Sequence, residues 1–142
     1  GGLEYTAEEK IFADKIAISL GQKEADLATA KNVQPYKTEA KAFGSTDVGD
    51  VSFAVPTVGM GAATWVPGTP AHSWQAVAAG GTSIGKKGMM VAAKTLTLTA
   101  IDLFKDKNLV TKAKTEFLEK RGADFKYIPL LGDRGPALDY RN

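Results

Sequence analysis

From Gly44 to Ser83 the chain runs for forty residues with only two charged side chains, Asp47 and Asp50. A solvated loop of that length normally carries many charges, so an uncharged one is expected to pack against protein or ligand. Nine of the fifteen glycines lie between Gly44 and Gly88, and Trp65, His72 and Trp74 fall in the same stretch. Val55 to Val66 holds β-branched and small residues suited to a buried strand, entered through Pro56 and left through Pro67 and Gly68. One strong strand is too few for a closed α/β domain, because a parallel sheet needs several strands joined by crossovers. The expectation is a partial α/β fold, a few strands packed with several helices, whose sheet another stretch of polypeptide completes. Its unpaired strand edge would invite pairing between copies, so a homo-oligomer is expected.

Helical patterns flank this stretch. Thr6-Ala7-Glu8-Glu9 is a capping box, and Phe12, Ile16 and Leu20 follow on one stripe beside Ala13 and Ala17. Gly21 is placed to stop that helix, a weaker helical stretch is expected from Gln22 to Lys31, and Pro35 ends the region. From Ser83 onward, Ile84, Gly88, Val91, Thr95 and Leu98 form one stripe and Met89, Ala93, Leu96, Ala100 and Leu103 another. Two apolar sides predict a helix buried nearly all round. Gly85 and Gly88 read as positions of close packing, since the phosphate spacing of a P-loop is missing around Lys86 and Lys87, which read as solvated lysines. Asn108 is expected to cap a last helix with Val110, Ala113 and Phe117 inward, Lys112, Lys114, Glu116 and Lys120 outward, and Gly122 at its end. The tail from Asp124 is expected to be extended and superficial.

Composition narrows the chemistry. The 142 residues fit one domain, and Lys+Arg 18 against Asp+Glu 16 leaves a net charge of +2, too small a field to favour nucleic acid. There is no cysteine, hence no disulfide framework and no thiolate nucleophile, which agrees with a reducing cytoplasm. No run of 18 apolar residues suggests a membrane span, and the N-terminus does not read as a signal peptide. A self-contained metal hydrolase usually needs two or three histidines plus carboxylates. With His72 alone, much of any such site must come from elsewhere, and no catalytic residue is assigned within this segment.

Two constellations remain. Val66-Pro67-Gly68-Thr69-Pro70-Ala71-His72-Ser73-Trp74 follows the expected strand end, where α/β sheets bind ligands. Its prolines and glycine would fix the backbone, and Trp74 would restrict and shield the imidazole, support that suits a metal ligand. A histidine that only makes hydrogen bonds is the alternative. In Gly44-Ser45-Thr46-Asp47-Val48-Gly49-Asp50-Val51-Ser52, either Ser45, Thr46 or Asp47 caps a short helix near an anionic substrate group, or Asp47 orients a histidine. A plain turn and capped helix is the competing reading.

The run at 44–52 and Ala-Thr-Trp-Val-Pro-Gly-Thr-Pro-Ala-His-Ser-Trp-Gln at 63–75, together with Ser-Ile-Gly-Lys-Lys-Gly-Met at 83–89 and the Leu-Thr-Ala-Ile-Asp-Leu-Phe ending of the long helix, resemble the M20 family of metal-dependent amidohydrolases and peptidases. The resemblance covers roughly Leu3 to Leu131. It implies that residues 1–142 correspond to the C-terminal segment of an M20-type catalytic domain of Zn-peptidase-like fold, without the N-terminal half and the lid domain that dimerises. It further implies that His72 matches the last ligand of a site for two divalent ions, zinc or manganese, with Ser45, Thr46 and Asp47 near the substrate. The implied reaction is hydrolysis of the amide joining an aminobenzoyl group to glutamate, a step of folate catabolism. Another N-acyl amino acid or a dipeptide is the alternative substrate, and a metal-free binding remnant the alternative role. On this view the segment is inactive alone, and its partners are the small substrate and the missing N-terminal half.

Overall fold

The computed structural model describes residues 3–37, 44 and 46–139. Their regular structure is helical: α1 (Ala7–Ser19), one 3-10 turn (Thr29–Lys31), α2 (Val48–Ala54), α3 (Trp74–Gly80), α4 (Ser83–Lys105) and α5 (Lys107–Arg121). None of these helices is long and apolar enough to cross a membrane. Two compact units are present. The first contains α1, the 3-10 turn, α3 and α4 as far as Asp102; the second contains α2, the end of α4 from Leu103, α5 and the tail.

The α/β expectation is overturned. No strand occurs among the described residues: α2 runs to Ala54, and residues 55–64 have no regular structure. A strand is defined by the ladder it makes with a neighbour, and an extended segment without one leaves its N–H and C=O groups to water. Val66 alone of Val55–Val66 is buried, at 1% exposure, while residues 51–60 are exposed. The strand edge from which self-association was expected is therefore not formed among the described residues.

α1 follows the sequence closely. The Thr6 hydroxyl accepts from the Glu9 N–H at 3.2 Å, and a Glu9 carboxylate oxygen accepts from the Thr6 N–H at 2.7 Å, which completes the capping box. At the other end Gly21 takes φ +79. The Gly21 N–H donates to Ile18 and the Gln22 N–H to Ala17, a Schellman closure that satisfies two of the last carbonyls. Beyond it the expected weak helix reduces to the single 3-10 turn, and the Asp14 carboxylate accepts from the Ala25 N–H at 2.9 Å. Tyr5, Ala13, Ile16, Val66 and Ile84 form the core, with Leu3, Phe12, Leu20, Leu27 and Ala78 packed on it.

α4 meets this core only through its first turns. Ile84, Gly85 and Gly88 are buried, and from Met89 onward its large apolar side chains are exposed. Burial all round is thus corrected for this chain: the apolar stripes exist, but nothing among the described residues covers them. The two glycines are close-packing positions, as expected. A Cβ on Gly85 would meet the Gly80 carbonyl, and one on Gly88 would overlap the Ala63 carbonyl and come within 2.9 Å of the Thr64 methyl.

A buried carboxylate joins the starts of α1 and α4. Glu9 is 6% exposed; its carboxylate accepts from the Ser83 hydroxyl and from Lys87 Nζ, each at 2.6 Å. Lys87 Nζ also donates to the Glu4 carbonyl at 2.6 Å and lies 5.7 Å from the centre of the Tyr5 ring. Burial alone would raise the Glu9 carboxyl. Hydrogen bonds from Lys87, Ser83 and the Thr6 backbone outweigh that effect and hold it at about 2 instead of 4.5.

The second unit is smaller. Asp106, two residues before the expected Asn108, caps α5 by accepting from the Asn108 N–H at 2.9 Å. Ala113 and Phe117 are half-buried, Val110 is exposed, and Gly122 ends the helix at φ +88. The tail is superficial, and it returns aromatic contacts to α2. Phe53 stacks on Tyr127 at 5.8 Å and packs against Phe125 at 5.5 Å, Tyr127 donates to Asp50, and Arg121 donates to the Phe53 carbonyl at 3.0 Å.

This packing sets the response to acid and to substitution. Because the folded Glu9 carboxyl sits below its unfolded value, its stabilisation is complete above pH 4.5 and is lost as pH falls toward 2. Lys87→Met is expected to lower stability at neutral pH by about 2–3 kcal/mol and to flatten that acid dependence in urea titrations run at several pH values. In an open helix Gly→Ala stabilises by about 0.5–1 kcal/mol. Gly88→Ala is expected instead to destabilise by about 1–3 kcal/mol in the same titrations, through overlap with the backbone at Ala63.

Candidate functional site

The loop that carries His72 is anchored at both ends. Val66 enters the core, and its carbonyl accepts from the Thr69 N–H at 3.1 Å, closing a tight turn over Pro67 and Gly68. Gly68 takes φ +85, and a Cβ there would meet the Gln22 side-chain amide. At the far end Ser73 caps α3. Its hydroxyl accepts from the Ala76 N–H at 3.1 Å and donates to the Pro70 carbonyl at 2.7 Å. Gln75, on the first turn of α3, is buried and donates to the Ser19 hydroxyl at 3.3 Å, which ties the helix to α1.

Held between these anchors, His72 has φ +58, the only positive φ at a non-glycine residue among those described. A left-handed backbone costs such a residue roughly 1–2 kcal/mol, so the surrounding turn and cap impose it. The imidazole is exposed. It shares with Trp65, Ser73, Trp74, Ala76 and Val77 an open concavity of about 620 Å³. Trp74 does not shield the ring from water as expected, because it is itself 62% exposed. Trp65 is 37% exposed and stands on the same concavity, a role that the residues flanking His72 do not by themselves indicate. The available signal was its place in an uncharged segment, where a large aromatic has few reasons to face water.

The second constellation lies in the other unit. Ser45 falls outside the described residues. Thr46 and Asp47 are exposed at the start of α2. Asp47 is the N-cap residue but makes no side-chain capping bond; Thr46 Oγ accepts from the Val48 N–H at 3.4 Å, a weak contact. α2 has seven residues and little dipole of its own. Neither Thr46 nor Asp47 is joined to a histidine by any hydrogen bond described.

Among the described residues no group of three histidine, cysteine, aspartate or glutamate side chains is placed to hold a metal ion. The described residues thus offer, of the usual metal donors at this concavity, a single exposed imidazole on a backbone that the loop holds fixed. His72→Gly is expected to keep or raise stability by about 1 kcal/mol, since glycine adopts the left-handed backbone without cost. His72→Val is expected to lose about 1–2 kcal/mol, and thermal melts of the two variants decide whether the loop imposes this conformation.

Known proteins add to that geometry. No family model and no solved structure matches the chain. It is similar to one subunit of the p-aminobenzoyl-glutamate hydrolase of Escherichia coli (strain K12), with 41% identity over 92 residues. The matched stretch is 64% of this chain and 19% of that protein, so the chain spans about a fifth of the length of the curated relative it matches. The likeness read from the residue runs is thereby borne out, as likeness to a segment of a hydrolase subunit.

Proposed function

We propose that this chain is a segment of a metal-dependent amidohydrolase of M20 type that cleaves p-aminobenzoyl-glutamate, and that His72 supplies one ligand of its metal site. The observation that carries the reading is the 41% identity to a subunit of a hydrolase so named, in a chain that offers one exposed imidazole on a rigid loop. Amide hydrolysis of this type needs zinc or manganese to acidify water and polarise the scissile carbonyl. A His72 ring nitrogen would donate its lone pair there, while Pro67, Pro70 and the Ser73 cap hold its backbone so that little freedom is lost on ligation.

The remaining ligands and the general acid/base belong to polypeptide outside this segment, so the segment alone is inactive. The exposed apolar sides of α4, with Met89 and Leu96 on one and Leu98 on the other, are the surfaces on which the rest of the catalytic domain packs. Thr46 and Asp47 are assigned to the substrate side of the same enzyme, and the cytoplasm to its location.

In the full-length hydrolase that contains this segment, His72→Ala is expected to lower turnover of p-aminobenzoyl-glutamate at least about a hundredfold, with loss of bound metal in elemental analysis. Unchanged turnover and metal content would remove His72 from the site and leave a metal-free binding segment as the reading. Faster hydrolysis of simple dipeptides or of acetyl-amino acids than of p-aminobenzoyl-glutamate would move the substrate assignment while keeping the reaction class.

A further inference from the structure

The concavity beside His72 is unusual in what it lacks. Trp65, Trp74, Ala76 and Val77 give it an aromatic and aliphatic wall, and no lysine, arginine, aspartate or glutamate lines it. Apart from the two indole N–H groups, its polar side chains are the imidazole and the Ser73 hydroxyl, and that hydroxyl is already committed to Pro70 and Ala76. A glutamyl group brings two carboxylates, which are recognised by guanidinium, ammonium or free backbone N–H groups. α3, with seven residues, is too short to supply an anion site at its start. The two halves of an acyl-glutamate substrate are therefore not equivalent for this surface.

We infer that the Trp65–Trp74 concavity is the acyl subsite, taking a flat uncharged aromatic ring against the indoles, while the glutamate end is bound by groups outside it. The inference rests on the hydrolase reading above and adds which end of the substrate this chain holds. Exposed indoles keep a large apolar area in water, and an aromatic ring laid on them removes that area with the offset or edge-to-face contacts that aromatic pairs favour. His72 opens on the same concavity, so a ring seated there brings its acyl carbonyl next to the imidazole. Selectivity then comes from the wall: an aliphatic acyl group leaves much of both indoles exposed, and a charged one meets no counter-ion.

The chain contains two tryptophans and one histidine, so each reporter can be read separately by NMR. The 142-residue chain is titrated with N-benzoyl-glutamate, N-acetyl-glutamate and free glutamate while the two indole N–H signals are followed, assigned through Trp65→Phe and Trp74→Phe. Benzoyl-glutamate is expected to shift both signals saturably, with the other two ligands shifting neither. Trp65→Leu or Trp74→Leu is expected to weaken that binding about tenfold. Equal shifts from acetyl-glutamate, or no indole shift with benzoyl-glutamate, overturn the assignment. The hydrolase reading is judged separately, by turnover and metal content of the His72→Ala full-length enzyme. Loss of both there without an aryl response here sinks the subsite and leaves the metal-ligand reading standing, and an aryl response here with unchanged turnover and metal content there does the reverse.

Discussion

The first unit depends on one buried carboxylate. Glu9 is fixed locally by the α1 capping box and non-locally by Ser83 and Lys87, so the same side chain that starts α1 also sets where α4 begins. A buried charge left unpaired would be strongly destabilising, which makes the three partners necessary together. Directly beyond them Gly88 brings the α4 backbone against Ala63, a few residues before Trp65 and Val66. The geometry that presents the His72 loop thus descends from an ion pair and a missing methyl group, more than from a large apolar core.

On that platform the loop from Val66 to Ser73 acts as a short rigid bracket. Its anchors are a buried valine at one end and a serine cap at the other, with a tight turn between them. The left-handed backbone of His72 is the residual strain of that arrangement. Strain retained at an exposed imidazole beside two exposed indoles is readily understood if the imidazole and indoles meet a ligand, and it has no evident role in holding the fold together. The concavity offers one exposed imidazole and an aromatic wall, the two features on which the proposed ligand and subsite roles rest.

A second exposed apolar surface lies on α4. Beyond Met89 its apolar residues face water, although apolar residues on several sides are the pattern of a buried helix. Under the proposed function, the remainder of the hydrolase subunit is what would cover that surface. The second unit, held by the Phe53–Tyr127 stack and the Asp50–Tyr127 hydrogen bond, closes on itself with few buried groups.

Local chemistry was legible in the sequence because it is written in neighbours. The capping box at Thr6 and Glu9, the stop at Gly21, the close packing at Gly85 and Gly88 and the end at Gly122 each follow from residues within a turn or from a missing Cβ. The single histidine and its proline-bracketed loop were legible for the same reason. A strand at Val55–Val66 was not a property of those residues alone: the pattern fits a sheet, but a ladder needs a second strand, which the described residues do not provide. The burial of α4 failed likewise, since a stripe states which side wants cover and not whether cover is present. Lys87 has the sequence surroundings of a solvated lysine because its carboxylate partner is 78 residues away, and the place of Trp65 beside His72 depends on how the chain folds back. Sequence determined caps, turns and periodicity, which are short-range; only the tertiary structure decided pairing, burial and the shared concavity, because each requires two distant segments to meet.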